Sequence, residues 1–174
     1  MESLENYNIN FSKLKLGQHY FNYNPGDDFF ANYENSLIEK CSSSVLVTLD
    51  KQKETLFSLN FHIQASVGLN CDRCLDDFNY PFNEEYQILV ELKAAEGNEE
   101  EDNLVTLSED EDEINIAQYL YEFISLSVPM KKTCDQIDKD CNPEVINILK
   151  KHQPKEDEID PRWEELKKLY KNNN

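Results

Sequence analysis

Four of the five cysteines form two close pairs, Cys71-x2-Cys74 and Cys134-x6-Cys141, far apart in the chain. Two separated pairs of thiolates are a common way to hold a tetrahedral Zn²⁺. The first pair has the knuckle spacing that lets two thiolates meet one metal. The second is looser than the usual gap of two to four residues, but it suits one ligand on a loop and one at the mouth of a helix. A C-x-x-C pair also serves thiol redox chemistry, so the spacing of Cys71 and Cys74 leaves both readings open. Redox chemistry of the thioredoxin kind wants the pair at a helix N-terminus, whereas strand patterns flank it here. Cys141 directly precedes Asn142-Pro143, a helix-start signature whose dipole favours a thiolate. Lys131, Lys132, Asp135, Asp138, Lys139 and Asp140 make the segment around Cys134 a polar loop, a poor setting for inert core thiols. The fifth cysteine, Cys41, stands near a strand start and reads as a packed small side chain.

The elements that must position these thiols are legible from periodicity. Over residues 57–71 every odd position is apolar or Cys and every even one is polar or Gly, which predicts a strand with one buried face. Cys71 continues the apolar register and is delivered to the inside. Fifteen residues exceed a usual strand, so a bend or bulge is expected near Gly68. Val45, Val47 and Leu49 make a shorter strand before it, turned back by residues 50–53; Phe78, Tyr80, Phe82, Tyr86, Ile88, Val90 and Leu92 alternate after it. Sequential strands with short connections form an antiparallel meander, as an open sheet or closed into a barrel. Two short strands are expected over residues 11–16 and 19–23, then a helical turn over 27–33.

After residue 113 the period becomes helical, with Ile116, Leu120, Phe123 and Ile124 in step, acids before Ile114 suited to the helix dipole, and Pro129 as terminator. A second helix opens at Pro143 behind Asn142, with Val145, Ile146 and Leu149 inward. Asp160-Pro161 repeats the signature before an amphipathic stretch containing Trp163, Leu166 and Leu169. The fold class expected is α+β: a β-rich part over 8–92, an acidic loop over 96–113 and helices over 114–151 in one domain of residues 1–151. A linker and C-terminal helix follow over 152–174.

The chain has 174 residues and a formal net charge of −18. Its length suits one domain with a sizeable core. No apolar run reaches the roughly 18–20 residues of a membrane helix. The N-terminus lacks the basic and apolar regions of a secretory signal, and the cysteine count is odd, so the reading is a reducing cytoplasm rather than a disulfide framework. Ten acids and no basic residue lie between Glu96 and Glu113, more than half of the charge excess. Such a run is a solvated loop or an acidic surface for a basic protein. As a plain loop, its residues 97–102 are expected to be removable without loss of fold. Binding to a phosphate backbone wants clustered Lys and Arg, and none is visible. His19, His62 and His152 share no motif spacing, and no nucleophile elbow, phosphate loop or metalloprotease helix occurs, so no enzyme is read.

Cys71-Asp72-Arg73-Cys74-Leu75, placed between a long alternating strand and an aromatic one, resembles the YceD family. The order that follows agrees: an acidic run, a helix, Val128-Pro129, the pair Cys134 and Cys141, and Asp160-Pro161-Arg162-Trp163 near the end. The likeness covers roughly residues 10–170. Relatives can carry histidine where this chain has Cys134, and His and Cys exchange readily as zinc ligands. The resemblance implies a bacterial or plastid protein needed for large-subunit ribosomal RNA to accumulate, and supplies no catalytic activity. The partner expected is a basic ribosomal protein or a pre-large-subunit particle, with direct rRNA contact left open. The metal expected is one structural Zn²⁺ on Cys71, Cys74, Cys134 and Cys141, with Arg73 beside it to offset charge. The alternative is a redox or metal-handling protein using Cys71 and Cys74 directly.

Overall fold

A computed structural model describes residues 3–93 and 104–153. The architecture is α+β. Strand β1 is Asn8–Asn10, β2 Gly17–Tyr23, β3 Cys41–Lys53, β4 Leu56–Asn70, β5 Asp77–Lys93, β6 Leu104–Ser108 and β7 Glu113–Asn115. The helices are α1 (Asp27–Phe30), α2 (Ala117–Leu126) and α3 (Pro143–His152), with 3-10 turns at Leu4–Tyr7 and Cys134–Ile137. A five-stranded sheet runs in the order β2-β3-β4-β5-β6, and β1 pairs with β7 in a separate two-stranded ribbon.

The meander β3-β4-β5 follows from the alternation. In β4, Phe57, Leu59, Phe61, Ile63, Ala65, Val67 and Leu69 are all buried. Burying such side chains contributes about 1.5–3 kcal/mol each before entropy is counted. Phe78 and Leu92 share one parity, so the two aromatic–aliphatic patterns merge into the single strand β5. Pro81 fits there because the lower half of β5 has β4 on one side and, among the described residues, no strand on the other.

Several expectations are corrected. No bulge occurs at Gly68, where β4 and β5 stay in register; the register shift lies between Lys51 and Lys53 of β3. The Gly68 amide bonds to the Lys40 carbonyl at 2.9 Å. A Cβ at this glycine would stand 3.0 Å from Lys40 Cβ, so the missing side chain admits the chain entering β3. Residues 50–53 belong to β3, and the turn is Glu54-Thr55. Lys51 is the reason a turn-like sequence stays in the sheet. Its buried Nζ donates to the carbonyls of Phe11 (3.3 Å) and Leu14 (3.1 Å) and meets Glu54 at 2.7 Å. Residues 11–16 therefore form a loop clasped by Lys51 instead of a strand, and the first strand is Asn8–Asn10.

The acidic segment is not loop throughout. Val105 and Leu107 sit beside Val90 and Leu92 in β6, which pairs parallel to β5, so the sheet is not wholly antiparallel. Residues 94–103 lie outside the described part. The acids before Ile114 flank β7 rather than the helix; α2 starts without an acid in its first turn, and Asn115 Oδ1 accepts from the Ala117 amide at 2.9 Å. Among the described residues the sheet is open, with β2 and β6 as its edges, and no barrel closes. Helix α2 covers the apolar sheet face through Leu120, Ile124 and Phe123, whose ring stacks on Tyr86 at 4.4 Å and meets Phe61 edge-on at 5.1 Å. In α3 no side chain is buried; Leu149 is exposed although it was expected inward. The predicted helix after Pro161 lies outside the described residues.

Candidate metal centre

Each pair of cysteines is set by a turn that closes on itself. Cys71 follows the last residue of β4, and its amide donates to Asp76 O at 2.9 Å while its carbonyl accepts from Leu75 N at 2.9 Å. Asn70 Nδ2 donates to Asp77 Oδ1 at 2.6 Å and ties the base of the hairpin. The knuckle turns through Leu75, a left-handed residue (φ +63°) that is not glycine, with its side chain 75% exposed. On the other side, Thr133 opens the 3-10 turn that carries Cys134, and its amide donates to the Gln136 side chain at 3.1 Å. Asp138 (φ +53°) ends that turn, and Lys139 N returns to Cys134 O at 3.1 Å. Cys141 then stands one residue before Asn142, whose side chain caps α3 through Glu144 N at 3.0 Å.

One backbone–backbone bond and one backbone–carboxylate bond lock the turns together. Asp72 N donates to Lys132 O at 2.7 Å, and Lys132 N donates to Asp72 Oδ2 at 2.7 Å. Arg73 Nη2 reaches both oxygens of Asp135 at 3.2 Å, and Lys139 Nζ reaches Asp77 O at 3.3 Å. The Asp135 carboxyl is held below the usual range by the Thr133 hydroxyl first, then by its own amide, Arg73 and Lys131, against the upward pull of burial.

The four sulfurs converge. Cys71 Sγ lies 3.7 Å from Cys141 Sγ, Cys74 Sγ lies 3.6 Å from Cys134 Sγ, and all four fall within 4.8 Å of one another. A ZnS₄ tetrahedron with bonds of about 2.3 Å has an edge of about 3.8 Å, so the two shorter separations fit it. They are far from the roughly 2.05 Å of a disulfide, and the five cysteines are free thiols. Cys71, Cys74 and Cys134 are buried and Cys141 is partly so. The donor set, four soft sulfurs of which three are buried, is chemistry suited to a metal cation.

Electrostatics separates the thiols. Burial pushes Cys71 up, but the amides of Cys74, Arg73 and Cys134, with the Cys134 side chain, outweigh it and bring the thiol down to about 6. Burial and the hydrogen bonds of the other three sulfurs push Cys134 up to about 12, and Cys141 is raised mainly by burial. Amides aimed at Cys71 are what a metal-bound thiolate asks of its surroundings.

The sequence anticipated this convergence of Cys71, Cys74, Cys134 and Cys141. Arg73, expected beside the centre, is partly exposed and engages Asp135 rather than standing alone in solvent. Cys41 is buried at the start of β3, and burial first raises its thiol to about 11; it is not in the cluster. His62 pairs with Glu85 across the sheet and His19 bonds Lys15 O, so neither joins the sulfurs. Asp72, Thr133 and Asp135 were not foreseen. The Thr133-x-x-Gln136 spacing is a capping-box signature that flags the turn.

The sequence model of the family described as "Large ribosomal RNA subunit accumulation protein YceD" matches residues 59–170, most of the chain and both cysteine pairs. The chain belongs to this family. No curated protein and no solved structure matches it. The YceD family name ties the chain to accumulation of large-subunit ribosomal RNA. The matched region takes in most of β4, the knuckle, β5, α2 and the second cysteine turn. No described helix is long and apolar enough to cross a membrane.

Proposed function

We propose that this YceD-family chain is a non-catalytic biogenesis factor needed for large-subunit (23S-type) rRNA to accumulate, built around one structural Zn²⁺ on Cys71, Cys74, Cys134 and Cys141. What carries the reading is a single coincidence: a family match that spans both pairs, and four sulfurs drawn within 4.8 Å of one another. Zinc held by four thiolates would crosslink the β-meander to the helical part and leave no position for water, so its contribution is to folding. Arg73 would offset the negative charge of that centre while tying the first knuckle to Asp135.

A chain of net charge −18 favours a basic ribosomal protein, or a pre-large-subunit particle that displays one, over bare RNA. The setting is the cytoplasm. Residues 1–151 act as one domain. Deleting the gene should lower mature large-subunit RNA relative to small-subunit RNA; an unchanged ratio under growth stress would sink the reading. The low pKa of Cys71 favours a second reading, thiol redox or metal handling through Cys71 and Cys74. A reversible Cys71–Cys74 disulfide at physiological potential supports that alternative. About one zinc per chain, in protein purified without a metal-binding tag, supports the first.

A further inference from the structure

Residues 24–39 carry α1 into β3, and they contain Asp27, Asp28, Glu34 and Glu39 with no lysine or arginine. Between α1 and the loop that follows lies a cavity of about 330 Å³, walled by Phe30, Ala31, Tyr33 and Ile38 and bordered by Asp27 and Glu39. Small-molecule sites span roughly 300–1,000 Å³, so this one holds a single long side chain more readily than a compact ligand. We propose that it is the socket for one lysine or arginine side chain of a basic protein partner. The proposal rests on the reading of a basic partner given above and locates where that partner docks.

Three observations converge on this occupant. The wall is preorganised: Tyr33 stacks on Tyr121 at 3.9 Å and 12°, and Phe30 is held in the core. An alkyl stem gains from the apolar wall, and the cationic end gains from the carboxylates. Among the described residues, no side chain fills the cavity. The nearest lysine, Lys40, lays its stem over Gly68, and no ion pair to Asp27 or Glu39 forms among the described residues. Leu37, between two residues that line the cavity, is 87% exposed. An apolar side chain held out beside a socket suits a protein surface, while a phosphate backbone would meet only like charge here. The socket lies before residue 59, outside the region of the family match.

The test uses the full chain, ¹⁵N-labelled and zinc-loaded, titrated with a terminally blocked nonapeptide whose one charged residue is a central arginine, and with its uncharged citrulline counterpart. Saturable shifts at the amides of Ala31, Tyr33, Ser36 and Glu39, weakened at least about fivefold by citrulline, support the socket. Glu39→Gln should weaken the arginine peptide by about two- to fivefold, and Glu84→Gln on β5 should not. Asp27 is left intact because its Oδ1 accepts the Cys41 amide at 2.7 Å. Shifts spread over the acidic surface, or equal binding of both peptides, overturn the proposal. Capture from cells separates it from the parent reading. If intact protein retains a basic ribosomal protein and Glu39→Gln with Leu37→Ser retains it equally, the socket is wrong and the partner stands. If the peptide seats but no ribosomal protein is captured, the socket stands and the partner is wrong.

Discussion

At the scale of single residues, the centre depends on groups whose reasons differ. Leu75 occupies a left-handed conformation that costs a side-chain-bearing residue on the order of 1 kcal/mol. Leu75→Val adds a branched Cβ to that backbone and should lower stability by about 1–2 kcal/mol. Leu75→Gly should be close to neutral, since relief of strain offsets the entropy of glycine. Urea unfolding of the two variants checks this, and equal losses would mean the side chain, not the backbone, is what matters. The thiols make a second prediction. Metal needs thiolates, so protons compete with it. At pH 7 Cys71, at about 6, is already largely ionised, whereas Cys134, at about 12, and the raised Cys141 carry their protons. Zinc uptake should therefore release about two protons or more, read from calorimetry in buffers of different ionisation enthalpy. As pH falls through about 6, Cys71 protonates too and affinity should drop more steeply. Flat affinity from pH 8 to 5.5 would contradict a thiolate site.

At the scale of elements, α2 and α3 contribute very differently to stability. Leu120 of α2 is fully buried against the sheet, so Leu120→Ala should cost about 2–5 kcal/mol. Ile148 of α3 is 56% exposed, and Ile148→Ala should change stability by less than about 0.5 kcal/mol. Denaturant midpoints decide; a large loss at Ile148 would place a packed partner over α3. Lys51 shows how an element boundary can hang on one polar contact. Lys51→Met would leave the Leu14 carbonyl without this donor and the Phe11 carbonyl with the Leu14 amide alone, at about 1–3 kcal/mol. Hydrogen exchange should quicken in residues 11–16 first.

At the scale of the whole molecule, the acidic segment is a structural connection as well as a charge reservoir. Because β6 runs parallel to β5 with Leu104 beside Leu89, the chain must return the length of four residues between Lys93 and Leu104. Deleting 97–102 would leave four linking residues for a return of roughly 13 Å plus a lateral step of about 5 Å, near full extension. The deletion is now expected to pull β6 off the sheet and lower the melting temperature, contrary to the reading of a freely removable loop. Replacing Glu99, Glu100 and Glu101 by Gln keeps the length and should keep the melting temperature. If the run attracts a basic partner, that variant should also weaken capture, most at low salt. If zinc fills the four-cysteine cluster as proposed, chelating it should loosen the Cys71–Leu75 knuckle and the Cys134–Cys141 segment together, seen as a joint rise in hydrogen exchange. Independent loosening would mean the two turns share no metal.

The sequence by itself determined the long strand β4, the delivery of Cys71 to the buried side and the cap that sets Cys141 before α3. Those features rest on side-chain period and on residues within one turn, which are local physics. It also marked the two cysteine pairs, whose types and spacing suit a metal without reference to fold. Only the tertiary structure decided that β6 returns parallel, that Lys51 clasps a loop, and that Asp72 and Asp135 lock the two knuckles. Each of these joins residues distant in the chain through backbone groups or single polar contacts. Such contacts leave no period to read, because a carbonyl awaiting a donor looks the same at every residue.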